Sequence, residues 1–317
     1  MLGFAKNQVY AIGVDLSSEG VRLAQLGSRG PQLSLVAGSF RERPSEIDPG
    51  TPAWQRWAIE TIREMIGQGG FRGRVVTASM LPSDVVIENV RMPKTAEGKI
   101  EDALFAKVRS QTSLRCSREN ALVRYIPTDS DNALVMVADR ERVDRHLAIY
   151  DQAGLALKGM GAWPEALATC YARFFGRRKG DLQAVVMLID VKGPHTNVVV
   201  CRHSQVLFAR SIPIGSDRLG DEKALNGLVL EVAACRRDYA STSRGAPLTR
   251  VIFLSGPMVD TAVYAAIAKQ VEVQAQVGDC LAAVEVADPN GRSSGGPDLD
   301  RWGCPAGWAT AFGLSLS

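Results

Sequence analysis

The stretch that decides the fold is residues 185–215, which read VVMLIDVKGPHTNVVVCRHSQVLFARSIPIG. Its nearly continuous apolar run at 185–189 ends at Asp190, a pattern typical of a strand that is buried on both faces. A tight turn follows at Gly193-Pro194, since glycine and proline are the strongest local turn signals. Two more β-rich runs come after it, at residues 197–201 and 205–212. The stretch therefore predicts a three-stranded meander whose first strand ends in an aspartate.

The same pattern occurs near the N-terminus. An apolar run there ends at Asp15, and a turn of small and polar residues follows. Two β-rich runs then return, at residues 21–26 and 32–38. A repeat of this kind implies two similar lobes with a cleft between them. We therefore predict that residues 8–40 and 184–212 form equivalent meanders, with Asp15 facing Asp190.

Helical periodicity and turn signals place the other elements. Helices are predicted near residues 52–68, 96–110, 140–153, 164–175, 217–241 (with a break at Gly227) and 258–271, and a last one starts near 306. Further strands are predicted at 75–80, 85–90, 121–126, 133–138, 155–161 and 251–254. The segment 289–303, rich in Gly, Ser and Pro, is predicted to be a mobile loop.

Six short segments, spread in order over nearly the whole chain, carry a resemblance to a known family. They read IGVDLSSEGVRL at 12–23, LPSDVVIENVRMP at 81–93, FARSIPIG at 208–215, LEVAACRRDY at 230–239, VIFLSG at 251–256 and AFGLSL at 311–316. The chain resembles the PilM-like actin-like ATPase family, which includes the type IV pilus assembly protein PilM, MshI and the cytoplasmic domain of GspL. The resemblance implies an α/β chain with the actin-like ATPase (ribonuclease H-like) fold, in which two lobes carry an inserted small α/β subdomain.

The resemblance also implies a division of the chain. The first lobe is expected to begin with residues 1–80 and to be completed by residues 154–183, which include a crossing helix. The inserted subdomain is expected at residues 81–153, between these two portions, and the second lobe at residues 184–317. A chain of 317 residues is long enough for such an architecture.

Composition limits the function classes and the compartment. The formal charge of +3 is too small to indicate nucleic-acid binding by itself. No run of eighteen apolar residues predicts a transmembrane helix, and no signal-peptide core precedes the first strand. Six cysteines without a C-x-x-C pair indicate reduced thiols. We expect a cytoplasmic protein that is peripheral to the inner membrane through its partner.

The two turns resemble the phosphate-binding turns of the family. Phosphate cradling requires backbone N–H groups that an anion can approach, and an acid that organises Mg²⁺. The resemblance therefore implies ATP with Mg²⁺ as the cofactor, if the site is retained. Its residues would be Asp15, Ser17, Ser18, Asp190, Lys192, Gly193, Thr196, Gly215, Glu231 and Gly256.

Several departures indicate that this nucleotide site is degenerate. Ser17 and Lys192 stand where the family has glycine, and Pro257 removes an N–H donor from the third turn. Only about fifteen residues separate Gly215 from Glu231, so the segment that grips adenosine in the family is missing. We predict weak or absent ATP binding and no catalytic residue. Two alternatives stay open: the aspartates only cap turns, or His195, Cys201 and His203 hold a metal.

The function that the resemblance implies is that of a scaffold. Such a protein of a type IV pilus or type II secretion platform binds the N-terminal tail of a PilN-like single-span membrane protein and serves a motor ATPase. The tail would lie between the first lobe and the subdomain, against Val86, Ile87, Val90, Ile100, Leu104, Phe105 and Val108. These residues are equally compatible with the subdomain core. His146 is interpreted as a surface residue. The alternative function is an active actin-like ATPase or a sugar-kinase-like phosphotransferase.

Overall fold

The computed structural model describes residues 7–95, 97–128, 131–242, 247–255, 259–286 and 307–317. Its strands are β1 (Asn7–Leu16), β2 (Gly20–Arg29), β3 (Gln32–Glu42), β4 (Val75–Ser79), β5 (Val85–Arg91), β6 (Ala121–Pro127), β7 (Asn132–Asp139), β8 (Ala156–Gly161), β9 (Val185–Val191), β10 (Thr196–Arg202), β11 (Gln205–Ile212), β12 (Leu248–Phe253), β13 (Gln274–Val277) and β14 (Glu285–Val286). Its helices are α1 (Pro52–Gln68), α2 (Ile100–Gln111), α3 (Arg140–Gln152), α4 (Trp163–Phe174), α5 (Glu222–Thr242), α6 (Thr261–Val271) and α7 (Ala309–Ser315).

Two sheets repeat the same strand arrangement. In the first sheet the order is β14-β3-β2-β1-β4-β8, and in the second sheet it is β11-β10-β9-β12-β13. Each begins as an antiparallel meander, and a later strand then pairs in parallel with the first strand of that meander. β9 is buried along its whole length, as its apolar run predicts. The predicted equivalence of the two meanders is confirmed.

The C-terminal segment of the chain returns to the first sheet. β14 pairs in parallel with β3, and α7 packs against β1, β2 and α4. Ser315 on α7 donates a hydrogen bond to the carbonyl of Ala11 (2.7 Å) and accepts one from the amide of Leu26 (3.0 Å). Residues 184–317 were all expected in the second lobe, but β14 and α7 therefore belong with the first sheet.

Two glycines allow α7 to approach its neighbours closely. A Cβ atom added at Gly13 would lie 2.0 Å from the carbonyl oxygen of Ala311, and one at Gly313 would lie 1.9 Å from that of Ala166. Both neighbours are backbone atoms, which cannot move aside as a flexible side chain can. The contacts of β1 with α7 and of α7 with α4 therefore require glycine.

A third, small sheet has the order β5-β7-β6 and is covered by α2. Val90, Leu104, Phe105 and Val108 are buried in its core together with β7, and Val86 and Ile100 pack half-buried on the same core. Ile87 packs instead on the large cluster between the two main sheets. A partner was expected to contact these seven residues; Val90, Leu104, Phe105 and Val108 are instead core residues of the small sheet, and only Val86, Ile87 and Ile100 remain half-buried.

α3 also differs from its expected place. It belonged to the predicted inserted subdomain, but Ile149 and Tyr150 are buried in the core of the first sheet. α1 begins where predicted, because the side chain of Thr51 accepts a hydrogen bond from the amide of Trp54 and caps the helix.

The C-terminal helices start later than predicted. α5 begins at Glu222 after a 3₁₀ turn at residues 216–218 and runs without a break at Gly227. α6 begins at Thr261, capped by Asp260. The predicted loop 289–303 lies outside the described residues. Within the described ranges, no helix is long and apolar enough to cross a membrane.

Candidate functional site: the inter-sheet cleft and the α1–α3 groove

The turns after β1 and β9 direct two buried carboxylates at one ammonium group. Lys192 Nζ lies 3.5 Å from Asp15 Oδ2 and 3.4 Å from Asp190 Oδ2, and it donates a hydrogen bond to the carbonyl of Gly307 at 3.2 Å. Only the Gly307 contact is a hydrogen bond, since the two carboxylate contacts are ion pairs that leave Asp15 Oδ2 and both oxygens of Asp190 without a hydrogen-bond partner among the described residues. Lys192 is only 5% exposed and Asp190 is fully buried. Asp15 and Asp190 therefore face each other, as predicted, with a side-chain cation between them.

The charges in this cluster stabilise one another. Burial alone would lower the pKa of Lys192, but Asp190 and Asp15 outweigh it and raise that pKa above its usual value. Burial raises the pKa of Asp190, and the nearby Lys192 partly opposes the increase. Lys192 is therefore protonated at neutral pH. Its ammonium fills the space between the two aspartates that a cation held by both would need.

A second contact closes the cleft, and sequence analysis did not anticipate it. Glu19 Oε1 accepts a short hydrogen bond from the backbone N–H of Gly193, while Oε2 accepts one from Arg22 Nη1 at 3.0 Å. Burial acts to raise the pKa of Glu19, but Lys192, Arg22 and the Gly193 hydrogen bond outweigh it and lower the pKa. The charged carboxylate of Glu19 thus occupies the donor that a phosphate oxygen would need.

The other predicted cleft residues shape the turns. Ser17 bonds back to Gly20, the carbonyl of Ser18 accepts from Arg43 Nε, and Thr196 Oγ1 donates to the carbonyl of Ile214. A Cβ at Gly215 would lie 2.2 Å from the carbonyl oxygen of Lys192, so this close approach requires glycine. Glu231 is exposed on α5, and Gly256 and Pro257 lie outside the described residues. No group of three His, Cys, Asp or Glu side chains is placed to hold a metal within the described ranges.

A groove lies between the first turn of α1, the 3₁₀ turn at residues 82–84, and α3. It encloses about 200 Å³ and is lined by residues that include Trp54, Asp84, Arg142 and His146. Asp84 accepts hydrogen bonds from Arg142 and from His146 Nε2, the latter at 3.1 Å. Burial acts to raise the pKa of Asp84, but these two partners outweigh it and lower the pKa.

Two polar atoms of this groove are buried without a hydrogen-bond partner among the described residues: Trp54 Nε1 and His146 Nδ1. The two rings meet edge to face, with centroids 6.0 Å apart. His146 is 2% exposed, so its interpretation as a surface residue was wrong. The only sequence signal for this groove was the LPSD segment at 81–84, which contains Asp84.

The chain is similar in structure to three proteins over most of its length. A chain of the PilM–PilN type IV pilus biogenesis complex matches with a TM-score of 0.75 and 17% identity, covering 97% of this chain and 98% of that one. The cytoplasmic domain of EpsL, an inner membrane component of the type II secretion system of Vibrio cholerae, matches with 0.50 and 13%, covering 98% and 94%. The ethanolamine utilization protein EutJ of Carboxydothermus hydrogenoformans matches with 0.50 and 12%, covering 97% and 89%.

The fold is the actin-like ATPase fold. No known sequence family and no curated protein matches the chain. At these identities the likeness concerns the fold alone.

The cleft of this actin-like fold does not fit Mg-ATP. Lys192 fills the point between the two aspartates, and Glu19 holds the N–H of Gly193. The side-chain oxygens of Asp217 lie 2.9 Å from where a Cβ of Gly193 would be, so this turn is enclosed from a third side as well. A nucleotide would have to displace the buried charges of Lys192 and Glu19.

We expect no binding of Mg-ATP tighter than about 1 mM, equivalent to about −4 kcal/mol, by calorimetric titration. The physical reason is that the Lys192 ammonium and the Glu19 carboxylate must both leave the cleft before phosphate can enter. The variant Lys192→Gly opens some of that space and is expected to bind more tightly than the unmodified chain. Micromolar affinity of the unmodified chain would contradict this prediction.

Acid pH is expected to destabilise the protein through His195. Burial, together with Lys192, lowers the pKa of His195 to about 4. The unfolded chain takes up this proton below about pH 6.5, so stability is full above that pH and is lost as the pH falls towards 4. We expect this residue to contribute up to about 3 kcal/mol of that loss. Urea unfolding at a series of pH values should show a shallower decline for His195→Gln and an unchanged one for His203→Asn.

Proposed function

We propose that this chain is a scaffold protein of a type IV pilus or type II secretion assembly platform. Its position would be cytoplasmic, at the inner membrane, through the N-terminal tail of a PilN-like membrane protein. The full-length likeness to a chain of the PilM–PilN complex supports the proposal, and so does the likeness to the EpsL cytoplasmic domain. The enclosed cleft favours a binding role over the alternative, an actin-like ATPase or a sugar-kinase-like phosphotransferase. The proposal includes an inserted subdomain, expected at residues 81–153, without α3, which packs on the first sheet.

The observation that carries the proposal is that two residues lining the α1–α3 groove, Trp54 and His146, each hold a buried polar atom without a hydrogen-bond partner among the described residues. Trp54 Nε1 can only donate a hydrogen bond. In the tautomer whose Nε2 donates to the Asp84 carboxylate, His146 Nδ1 is an acceptor. A buried polar atom without a partner is costly, so a ligand that satisfies both atoms gains affinity.

The ligand chemistry that matches this pair is an amide. A peptide unit or a side-chain carboxamide offers one carbonyl acceptor and at least one N–H donor, which correspond to Trp54 and His146. The tail would thus enter between α1 and α3. The predicted location against Phe105 and its neighbours is replaced, because those side chains are buried in the core of the small sheet.

Calorimetry with a peptide of the partner's N-terminal tail tests the groove. Trp54→Phe keeps the buried ring and removes only the N–H donor, so we expect binding to weaken by about 1–2 kcal/mol, or roughly 5- to 30-fold. The melting temperature should stay the same or rise, because the donor has no partner in the folded chain.

Trp57→Phe is the matched control, since Trp57 lies on the same helix but does not line the groove. It is expected to change the affinity for the tail by no more than a factor of about two, because the changed side chain does not contact the ligand. If Trp54→Phe binds the tail as well as the unmodified chain does, the groove assignment is wrong.

A further inference from the structure

We propose that this protein supplies its own occupant for the phosphate-binding turns, and that Glu19 and Lys192 keep the cleft closed without nucleotide. The inference goes beyond the proposed function, because it concerns the cleft and not the α1–α3 groove. It rests on the mismatch between the cleft residues and Mg-ATP, together with the contacts that fill the cleft.

Apart from the Lys192–Asp190 ion pair, the closing contacts join segments that are far apart in the chain. Glu19, in the turn after β1, accepts from the N–H of Gly193 in the turn after β9, 174 residues away. Lys192 joins Asp15, Asp190 and the carbonyl of Gly307, 115 residues away. The carboxylate replaces a phosphate oxygen on a turn amide, and the ammonium replaces the metal between two aspartates.

The cluster holds one more carboxylate than cations. Three carboxylates, those of Asp15, Glu19 and Asp190, meet two cations, Lys192 and Arg22. Only Glu19 retains appreciable solvent exposure, with 21% of its side chain exposed, against 5% for Lys192 and 7% for Arg22. Opening the cleft would separate these charges and expose them to water. It would therefore break the ion pairs that they form inside the protein.

The small sheet, β5-β7-β6, makes further contacts with the second sheet and with α4. Asn89 on β5 donates to the carbonyl of Ala209 on β11 (3.0 Å), and Arg124 on β6 forms a two-point contact with Glu165 on α4 (2.7 and 2.9 Å). The second sheet is therefore held by the small sheet as well as by the cleft. Together these contacts favour a single arrangement of the two main sheets.

Amide hydrogen exchange of the full chain tests whether Glu19 and Lys192 keep the cleft closed. Without nucleotide, the Gly193 amide should exchange slowly, and addition of Mg-ATP should not change its rate. Glu19→Ala removes the acceptor and is expected to speed exchange at Gly193 by about 10- to 100-fold, the range for loss of a hydrogen bond to a charged group. Amides of β9 and β12 should keep their protection in that variant.

Glu60→Ala, an exposed position on α1, is the control and should leave Gly193 exchange unchanged. Should Glu19→Ala fail to fold, Glu19→Gln keeps the shape and weakens the same bond, and a smaller acceleration is then expected. Fast exchange in the unmodified chain that slows with Mg-ATP would overturn the proposal, since nucleotide would then close the cleft. Slow exchange that Glu19→Ala leaves unchanged would also overturn it.

Discussion

Gly313→Ala is expected to leave little or no folded protein. A Cβ atom at this position would lie 1.9 Å from the carbonyl oxygen of Ala166 and 2.5 Å from its carbonyl carbon, both in the backbone of α4. Neither helix can yield without losing the contact of α7 with β1. We expect a loss of more than about 4 kcal/mol, a large fraction of the roughly 5–15 kcal/mol that typically holds a domain folded.

The matched control is the same substitution in another helix. Gly67 lies in α1 and has open space around its would-be Cβ, so Gly67→Ala should stabilise the protein by up to about 1 kcal/mol through helix propensity. Circular dichroism melting curves and soluble yield distinguish the two variants. A Gly313→Ala protein that melts within a few degrees of the unmodified chain would show that the approach of α7 to α4 is looser than described.

Lys192→Met is expected to lower the free energy of unfolding by about 3–5 kcal/mol at pH 7, because it leaves two buried aspartates without their cation. The second change Asp190→Asn should restore some of the loss, since it removes one of the uncompensated charges. The difference from the unmodified chain should shrink as the pH falls. Burial raises the pKa of Asp190, so its charge penalty is present at neutral pH and disappears once the carboxyl is protonated.

Urea unfolding at several pH values measures both effects. Lys269→Met, an exposed lysine on α6, is the control and should change stability by no more than about 0.5 kcal/mol. If Lys192→Met is as stable as the unmodified chain at pH 7, the ion cluster contributes nothing to the fold. In that case the buried aspartates must be stabilised by groups other than Lys192.

Local patterns in the sequence were sufficient for the two meanders and for the placement of Asp15 and Asp190. A buried strand reads as an apolar run, and a turn reads as glycine, proline or serine, so both signals lie within a few residues of the structure that they specify. The repetition of the pattern then implied two similar sheets facing each other. The lysine at position 192, directly before the turn glycine Gly193, was also visible in the sequence.

Apolar periodicity alone could not separate the core of the small sheet from a partner surface. Leu104, Phe105 and Val108 recur at helical spacing, which is equally suited to a docking groove and to a buried face. The structure decides for the core, because buried residues of β7 pack against the apolar face of α2. The groove was missed for the opposite reason: Trp54 and His146 lie on different helices, and no local signal joins them.

The sequence by itself determined the strands other than β13 and β14, the turns and the two aspartates, because each of these depends on neighbours along the chain. Only the tertiary structure decided that Glu19 holds the amide of Gly193, that Gly307 completes the surroundings of Lys192, and that α7 returns to the first sheet. Those contacts join residues more than a hundred positions apart in the chain. Their partners are set by how the sheets and helices pack against one another, and not by any pattern within a single segment.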